Sequence, residues 1–486
     1  MDLTPKQIVQ ELDKYIIGID EGSQSAKITI FDIKGNIVCE GRAPLRPYDL
    51  PKPGYVEHPD DDWWEAICKA SKNCMAKFEG NVEDIIGIGL CTIRCCRAYL
   101  KEDGSLAQPA MSWMDIRVSQ PYKHDNPDVK YIVASSGYIT NRLTGEFKDT
   151  VANYEYGWPV DVDNWKWSDD PEAYKATGMP REMLFDLVMP GDVLGYVTKE
   201  AADLTGLPVG VPVVATSNDK AVEGLGTGCM GDTTACISLG TYTTAMMEGK
   251  ENLKGTSYAW PKFSCVPNKF FYDSNGIRRG MWTISWFRDI LGESYINMAK
   301  EQGLSAEELL STEAEKVPAG SDGLMTVLEW LAPVDARYKK GVMIGFDGRH
   351  TRGHMYRSLL EAVAMTLKKH VDDMCNEINV TLDKLIITGG GSNSDLFMQI
   401  FADVFDMPVV RNEVNGAAGM GSAICAAVAA GVYESFEEAV ENMVRFKDTF
   451  VPNPEHVELY KKLVPIYSSI TSHTDEVLKK SYELFN

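Results

Sequence analysis

No Gly-x-x-x-x-Gly-Lys-[Ser/Thr] segment occurs anywhere in the 486 residues, so any nucleotide bound here is not cradled by a P-loop. Positive charge is in short supply: 48 Lys and Arg stand against 70 Asp and Glu, a net charge of -22, which opposes contact with nucleic-acid backbones and anionic membranes. Eleven cysteines run from Cys39 to Cys425 without one Cys-x-x-Cys pair, and an odd number suits neither a zinc ribbon nor a closed disulfide framework. A reducing cytoplasm is the compartment expected for such a chain. The opening stretch "MDLTPKQIVQELDKY" is acidic and amphipathic and lacks the charged-then-apolar order of a secretory signal. A single uncharged run reaches membrane length, "GAAGMGSAICAAVAAGVY" from Gly416 to Tyr433. It is mostly Gly and Ala, which gain little from lipid, and it reads as a close-packed buried helix.

What is present is the composition of a folded protein, 44% hydrophobic and 24% charged, long enough for two or three ordinary domains or two larger ones. Periodicity predicts three strands over Tyr15 to Pro44, a helix from about Asp61 to Phe78, and strands at "IIGIGLC" and "RAYL". After a Pro- and Trp-rich stretch from Trp158 to Pro171 come the strand "VPVVATS" and a helix beginning at Asp219. A second block opens with "TACISLGTYTTAMMEG" and continues with helices around Gly280 to Leu291 and Met355 to Ile378. It ends on strand "KLIITGG", helix "SDLFMQIFADVF", strand "PVV" and the Gly/Ala helix, an alternation that implies parallel pairing.

Two stretches, "IGIDEGSQSAKITIF" and "ACISLGTYTTAMME", share one pattern of strand, short Gly/Ser/Thr turn and strand. Each alone reads as a plain hairpin. Small residues in such a turn can also aim several backbone N–H groups at one anion, and two such turns facing each other across a cleft could hold both ends of a polyphosphate. Other motifs mislead: "GTGCMG", Gly226 to Gly231, matches a dinucleotide fingerprint but precedes a strand, so it reads as a turn. His350 and His354 have the spacing of a metal pair but lack the glutamate of a zinc protease and a third ligand, and read as surface or helix-start residues.

Taken in order, several segments resemble the FGGY carbohydrate kinases of the actin-like ATPase superfamily, over about Tyr15 to Tyr460. "GIDEGSQSAKITIFDIKGN" looks like that family's first phosphate hairpin, "PKPGYVEHPDDDWWEA" like the run before its Trp-bearing helix, and "SWMDIR" like its W-x-D-x-R segment. "PVVATSNDKAVEGLGTG" is similar to the loop presenting the catalytic aspartate, "ISLGTYT" to the second phosphate hairpin, and "IITGGGSNSDLFMQIFADVFDMPVV" to the adenosine motif.

The resemblance implies an α/β fold of two actin-like (ribonuclease H-like) domains flanking a nucleotide cleft. It divides the chain at 1–245, 246–450 and a C-terminal helical tail, 451–486. It implies transfer of the γ-phosphoryl group of ATP to a sugar hydroxyl, a reaction that needs a metal, donors around the phosphate oxygens and a carboxylate base. Asp219 is then the base and Asp20 the Mg²⁺ ligand, with Arg94 and Lys220 beside the sugar. The first hairpin contributes Gly22, Ser23, Gln24 and Ser25, with Lys27 as a point charge. The second contributes Gly240 and Thr241, and Gly389, Gly390, Gly391 and Ser394 face the adenosine. From the residues alone, Asp219 reads rather as the N-cap of its helix, and the resemblance reverses that preference.

Cys95 stands where glycerol kinases carry a glutamate, and a thiol cannot accept polyol hydrogen bonds as a carboxylate does, which argues against glycerol. The expected acceptor is a small sugar such as the ketopentose xylulose. Autoinducer-2-type and polyol kinases, and a non-kinase ATP-binding protein of the same fold, are the alternatives. The expected partners are the sugar and MgATP, without nucleic acid or membrane, and with a homodimer left open. Only 25 residues separate Arg117 from Leu143, fewer than the family uses for that part of the sugar-site wall. Trp113, Tyr138 and Trp158 are the aromatic candidates to line the enlarged space, although each also reads as plain core.

Overall fold

The computed structural model describes residues 13–485 except 241, 334 and 415, so most of the opening amphipathic stretch lies outside the described residues. Two mixed sheets organise the rest. The first contains β1 (Tyr15–Glu21), β2 (Ser25–Asp32), β3 (Ile37–Pro44), β4 (Ile85–Thr92), β5 (Val193–Tyr196) and β6 (Pro212–Asn218), in the order β5-β6-β4-β1-β2-β3. The second contains β7 (Thr234–Leu239), β8 (Thr243–Gly249), β9 (Trp260–Phe263), β10 (Phe270–Asp273), β11 (Lys384–Thr388), β12 (Val409–Asn412) and β13 (Phe446–Phe450), in the order β9-β10-β8-β7-β11-β12-β13.

The repeat legible in two hairpins extends to whole sheets. In the first, β1, β2 and β3 form an antiparallel meander, β1, β4 and β6 pair in parallel, and β5 closes the edge antiparallel. In the second, β7, β8 and β10 form the meander, β7, β11 and β12 pair in parallel, and β13 closes the edge. Parallel strands need crossovers, and the intervening helices supply them. The main ones are α1 (Asp62–Met75), α2 (Asp219–Thr227), α3 (Gly280–Ile290), α4 (Arg352–Ile378), α5 (Asp395–Phe405), α6 (Ala417–Ala429) and α7 (Pro454–Phe485).

Between the sheets lies one shared core. Ile16, Phe31 and Val214 of the first sheet and Cys236, Met246 and Ile386 of the second close on Val222 and Leu225 of α2 and on Ala423 and Ala426 of α6. The glycines allow α6 to approach so closely. A Cβ on Gly18 would lie 2.1 Å from the Gly419 carbonyl oxygen, and one on Gly89 would lie 1.9 Å from that of Ser422. The Gly/Ala run is therefore a helix wedged against two strands, and no helix among the described residues is long and apolar enough to cross a membrane.

The division expected at residue 245 runs through β8. Because β7 and β8 hydrogen-bond as one hairpin of the second sheet, we propose the boundary at the turn after α2, near Gly228 to Asp232. A strap from the first half also crosses over: Val151, Ala152 and Trp165 pack into the second domain's core, with the Trp165 ring 4.5 Å from that of Phe263.

Candidate active site

β1 and β6 run parallel to β4 and end at the same edge of the first sheet, which brings Asp20 and Asp219 to one opening. The helix after β6 is capped by Asn218, whose side chain accepts the Ala221 N–H at 3.1 Å. Asp219 is thus the first residue of α2 and not its cap, and its side chain is released from the structural role that the sequence alone allowed it. Its Oδ1 is shielded from solvent and accepts no hydrogen bond, with the Arg94 Nε 3.8 Å away.

A cleft of about 330 Å³ is lined by Asp20, Asp219 and Glu223 from the first half and by Gly389, Gly390 and Gly416 from the second. Burial, followed by the charges of Asp219 and Glu223, pushes the Asp20 carboxyl up to about 6 against the pull of Lys27 and Lys220. Such a carboxylate is short of positive charge, as expected of a ligand for a divalent cation held by one or two carboxylates plus phosphates. No three His, Cys, Asp or Glu among the described residues are grouped to hold a metal by themselves. His350 instead accepts the Asp347 N–H at 2.8 Å, while His354 closes the N-terminal turn of α4 on Thr351.

The hairpin turns are partly spent on themselves. The Gly22 N–H donates to the Ser25 carbonyl at 3.1 Å, so it is not the free donor expected of it. Among the described residues nothing occupies the N–H groups of Ser23 and Gln24. Lys27 sits opposite Asp20 on β2 and pairs with Glu40. The Gly240 carbonyl accepts from the Thr243 hydroxyl at 2.9 Å, and Thr241 lies outside the described residues. At the adenosine motif, Gly389 has φ of 91° and a Cβ there would lie 2.5 Å from the Leu239 carbonyl oxygen, so only glycine fits. Gly390 faces open space, and a Cβ on Gly391 would meet the Leu239 side chain. The Ser394 hydroxyl is committed to capping α5 through the Phe397 N–H.

Lys220, expected beside the sugar, is committed to partners within the protein. Its ammonium bridges Glu223 and Ser238, each at 2.8 Å, and so ties α2 to β7. Burial works against that charge, yet Glu223 and Asp219 hold the ammonium above its ordinary range.

Where the acceptor is expected, Arg94 donates to Asp273 at 3.1 Å. Burial opposes its charge, but Asp273, Asp219 and Glu155 together keep the guanidinium firmly protonated. Glu155 pairs with Lys262 at 2.8 Å and lies within 3.4 Å of the Asn218 amide, next to Asp219. Glu155, Asp273, Lys262 and Glu223 were not singled out from sequence; the available signal was a lone charge inside the apolar strands "WPKF" and "FFYD". The arginine of the W-x-D-x-R segment is already engaged: Arg117 binds Asp115 within the segment at 2.7 Å and Glu57 outside it at 2.6 Å. Of the three candidate wall aromatics, Tyr138 is core and donates to Asp61, Trp113 is half exposed, and Trp158 lines a separate groove.

Comparison with known proteins matches residues 15–126 and 120–226 to the N-terminal domain model of the FGGY family of carbohydrate kinases and 235–430 to its C-terminal domain model. The chain is 53% identical over 474 residues to an Escherichia coli K12 protein described as uncharacterized sugar kinase YgcE, covering 97% of this chain and 96% of that one. It is 25% identical over 509 residues to the xylulose kinase of Lactococcus lactis, covering 95% and 97%. Among solved structures, the gluconate kinase of Lactobacillus acidophilus superposes with a TM-score of 0.83 at 18% identity over 96% of this chain and 100% of that one, a likeness of fold.

Proposed function

Since this chain belongs to the FGGY family of carbohydrate kinases and is a sugar kinase, we propose that it transfers the γ-phosphoryl group of MgATP to a hydroxyl of a small ketose, a ketopentose such as xylulose forming the phosphorylated unit. The observation that carries this reading is the shielded Oδ1 of Asp219, free of hydrogen bonds, in a cleft that Asp20 and the Gly389–Gly390 turn share. Asp219 accepts the proton of the attacking hydroxyl, and Arg94 orients the acceptor. Asp20 holds the metal. When bound, Mg²⁺ supplies positive charge against the phosphate oxygens. The turn at Gly389 and Gly390 lets the nucleotide approach the backbone, while the N–H groups of Ser23 and Gln24 face the phosphates. Xylulose is favoured by the relative of that name and by Cys95, a residue that cannot serve as a second carboxylate for glycerol.

The test is acceptor-dependent ADP release across ketoses and polyols. A ketose should raise release well above the rate without acceptor, and glycerol should not. A protein that binds MgATP but gains no turnover from any acceptor would contradict the reading.

A further inference from the structure

A second groove, about 620 Å³, opens beside the acceptor residues. Its lining includes Glu155, Lys262 and Phe263, and the Phe263 carbonyl accepts from the Asn218 amide at 3.2 Å, immediately before Asp219. Its volume is nearly twice that of the carboxylate cleft and falls in the range of sites that enclose drug-sized ligands. A single five-carbon ketose would leave most of it empty.

The lining indicates what fills the remainder. Tyr156 and Trp260 flank the groove with 73% and 40% of their surface exposed, an arrangement that costs hydrophobic burial unless a ligand covers the rings. Both rings are nonetheless pinned. The Trp260 indole N–H donates to the Asn275 side chain at 2.9 Å, and the Lys262 ammonium sits 4.3 Å from the Tyr156 ring centre. Flat, prepositioned aromatic faces among a few polar groups suit the apolar face of a sugar ring with its rim of hydroxyls. The cations are already neutralised, Lys262 by Glu155 at 2.8 Å and Lys254 by Asp163 at 3.1 Å, so the groove has little to attract an anion.

We propose that this groove is a second carbohydrate subsite, and that the natural acceptor is a neutral ketose carrying a further sugar ring beyond the phosphorylated unit. The inference rests on the kinase reading for which unit is phosphorylated, but the binding it describes can be measured without turnover.

The experiment is titration calorimetry of the full chain with xylulose, fructose and the ketose disaccharides lactulose and isomaltulose, alongside ADP release with each. At least one disaccharide should bind tenfold or more tightly than either free ketose, and that advantage should fall at least fivefold in both Tyr156→Ala and Trp260→Ala, each compared with the wild type once circular dichroism shows the same fold. Disaccharides that bind no better than the free ketoses, or an advantage that survives both substitutions, would overturn the subsite. Tight disaccharide binding without ADP release from any acceptor would sustain the groove while contradicting the phosphoryl transfer.

Discussion

Arg94, just beyond the end of β4, donates to Asp273 at the end of β10 at 3.1 Å, so a side chain from the first sheet is held by one from the second. The same guanidinium lies 3.8 Å from Asp219. Two carboxylates therefore compete for it. Removing the charge at 273 leaves Arg94 to pair more closely with the proposed base. Asp273→Asn is expected to lower kcat/KM for the acceptor roughly tenfold, about 1–2 kcal/mol, with most of the loss in KM. A double-mutant cycle with Arg94→Gln should return a coupling of about 1 kcal/mol or more. Additive effects would mean that the two residues act separately.

Asp20 sits among acids with its charge poorly compensated. Asp20→Asn should bind nucleotide as the wild type does without divalent metal, and should lose the gain in affinity that Mg²⁺ brings. Calorimetric titrations with ATP, with and without Mg²⁺, measure the difference. An undiminished metal dependence would remove Asp20 from the metal's surroundings.

Much of this was readable from the chain because its strongest signals are local. Alternating apolar residues fixed the strands, and Gly/Ser/Thr turns between them marked both hairpins. Asp20, Asp219 and Gly390 could be named because each sits in a short ordered motif. Asp273, Lys262 and Glu155 belong to no motif. Asp273 of the second sheet meets Arg94 of the first, and Glu155, on the strap from the first half, pairs with Lys262 of β9, long-range events that spacing does not encode. The N-cap at 218 was missed for a different reason: Asn218 and Asp219 are both good caps, and only backbone geometry separates them. The hairpin amide of Gly22 was overrated because a tight turn uses its own donor.

The wedge of α6 against the first sheet has a sharp steric signature. A methyl at Gly18 would meet the Gly419 backbone at 2.1 Å, whereas one at Gly87 would meet the Ala426 side chain at 3.4 Å and its carbonyl oxygen at 3.5 Å, both ordinary contacts. Gly18→Ala is expected to cost about 3 kcal/mol or to prevent soluble expression, and Gly87→Ala to stay within about 1 kcal/mol of the wild type. Chemical denaturation of the two variants distinguishes them, and equal effects would contradict the close approach.

His58 is buried between the rings of Tyr48 and Trp63, at 4.9 and 4.8 Å. Burial lowers its imidazole to about 4, despite the opposing charge of Asp62. The folded state thus keeps it neutral while the unfolded chain protonates near 6.5, so stability is fully present above that pH and is lost as pH falls toward 4. Its contribution to the acid loss is about 2–3 kcal/mol. His58→Gln should flatten the fall in Tm between pH 6.5 and 4, and an unchanged slope would place the acid sensitivity elsewhere.

The central claim is that Asp219 takes the proton from the acceptor hydroxyl, and the most direct measurement is the turnover of Asp219→Asn beside its MgATP affinity. The account predicts a folded protein that binds MgATP within about twofold of the wild type and loses roughly 10² to 10⁴ in kcat, the range of a general base. Near-wild-type turnover with the amide in place would contradict it.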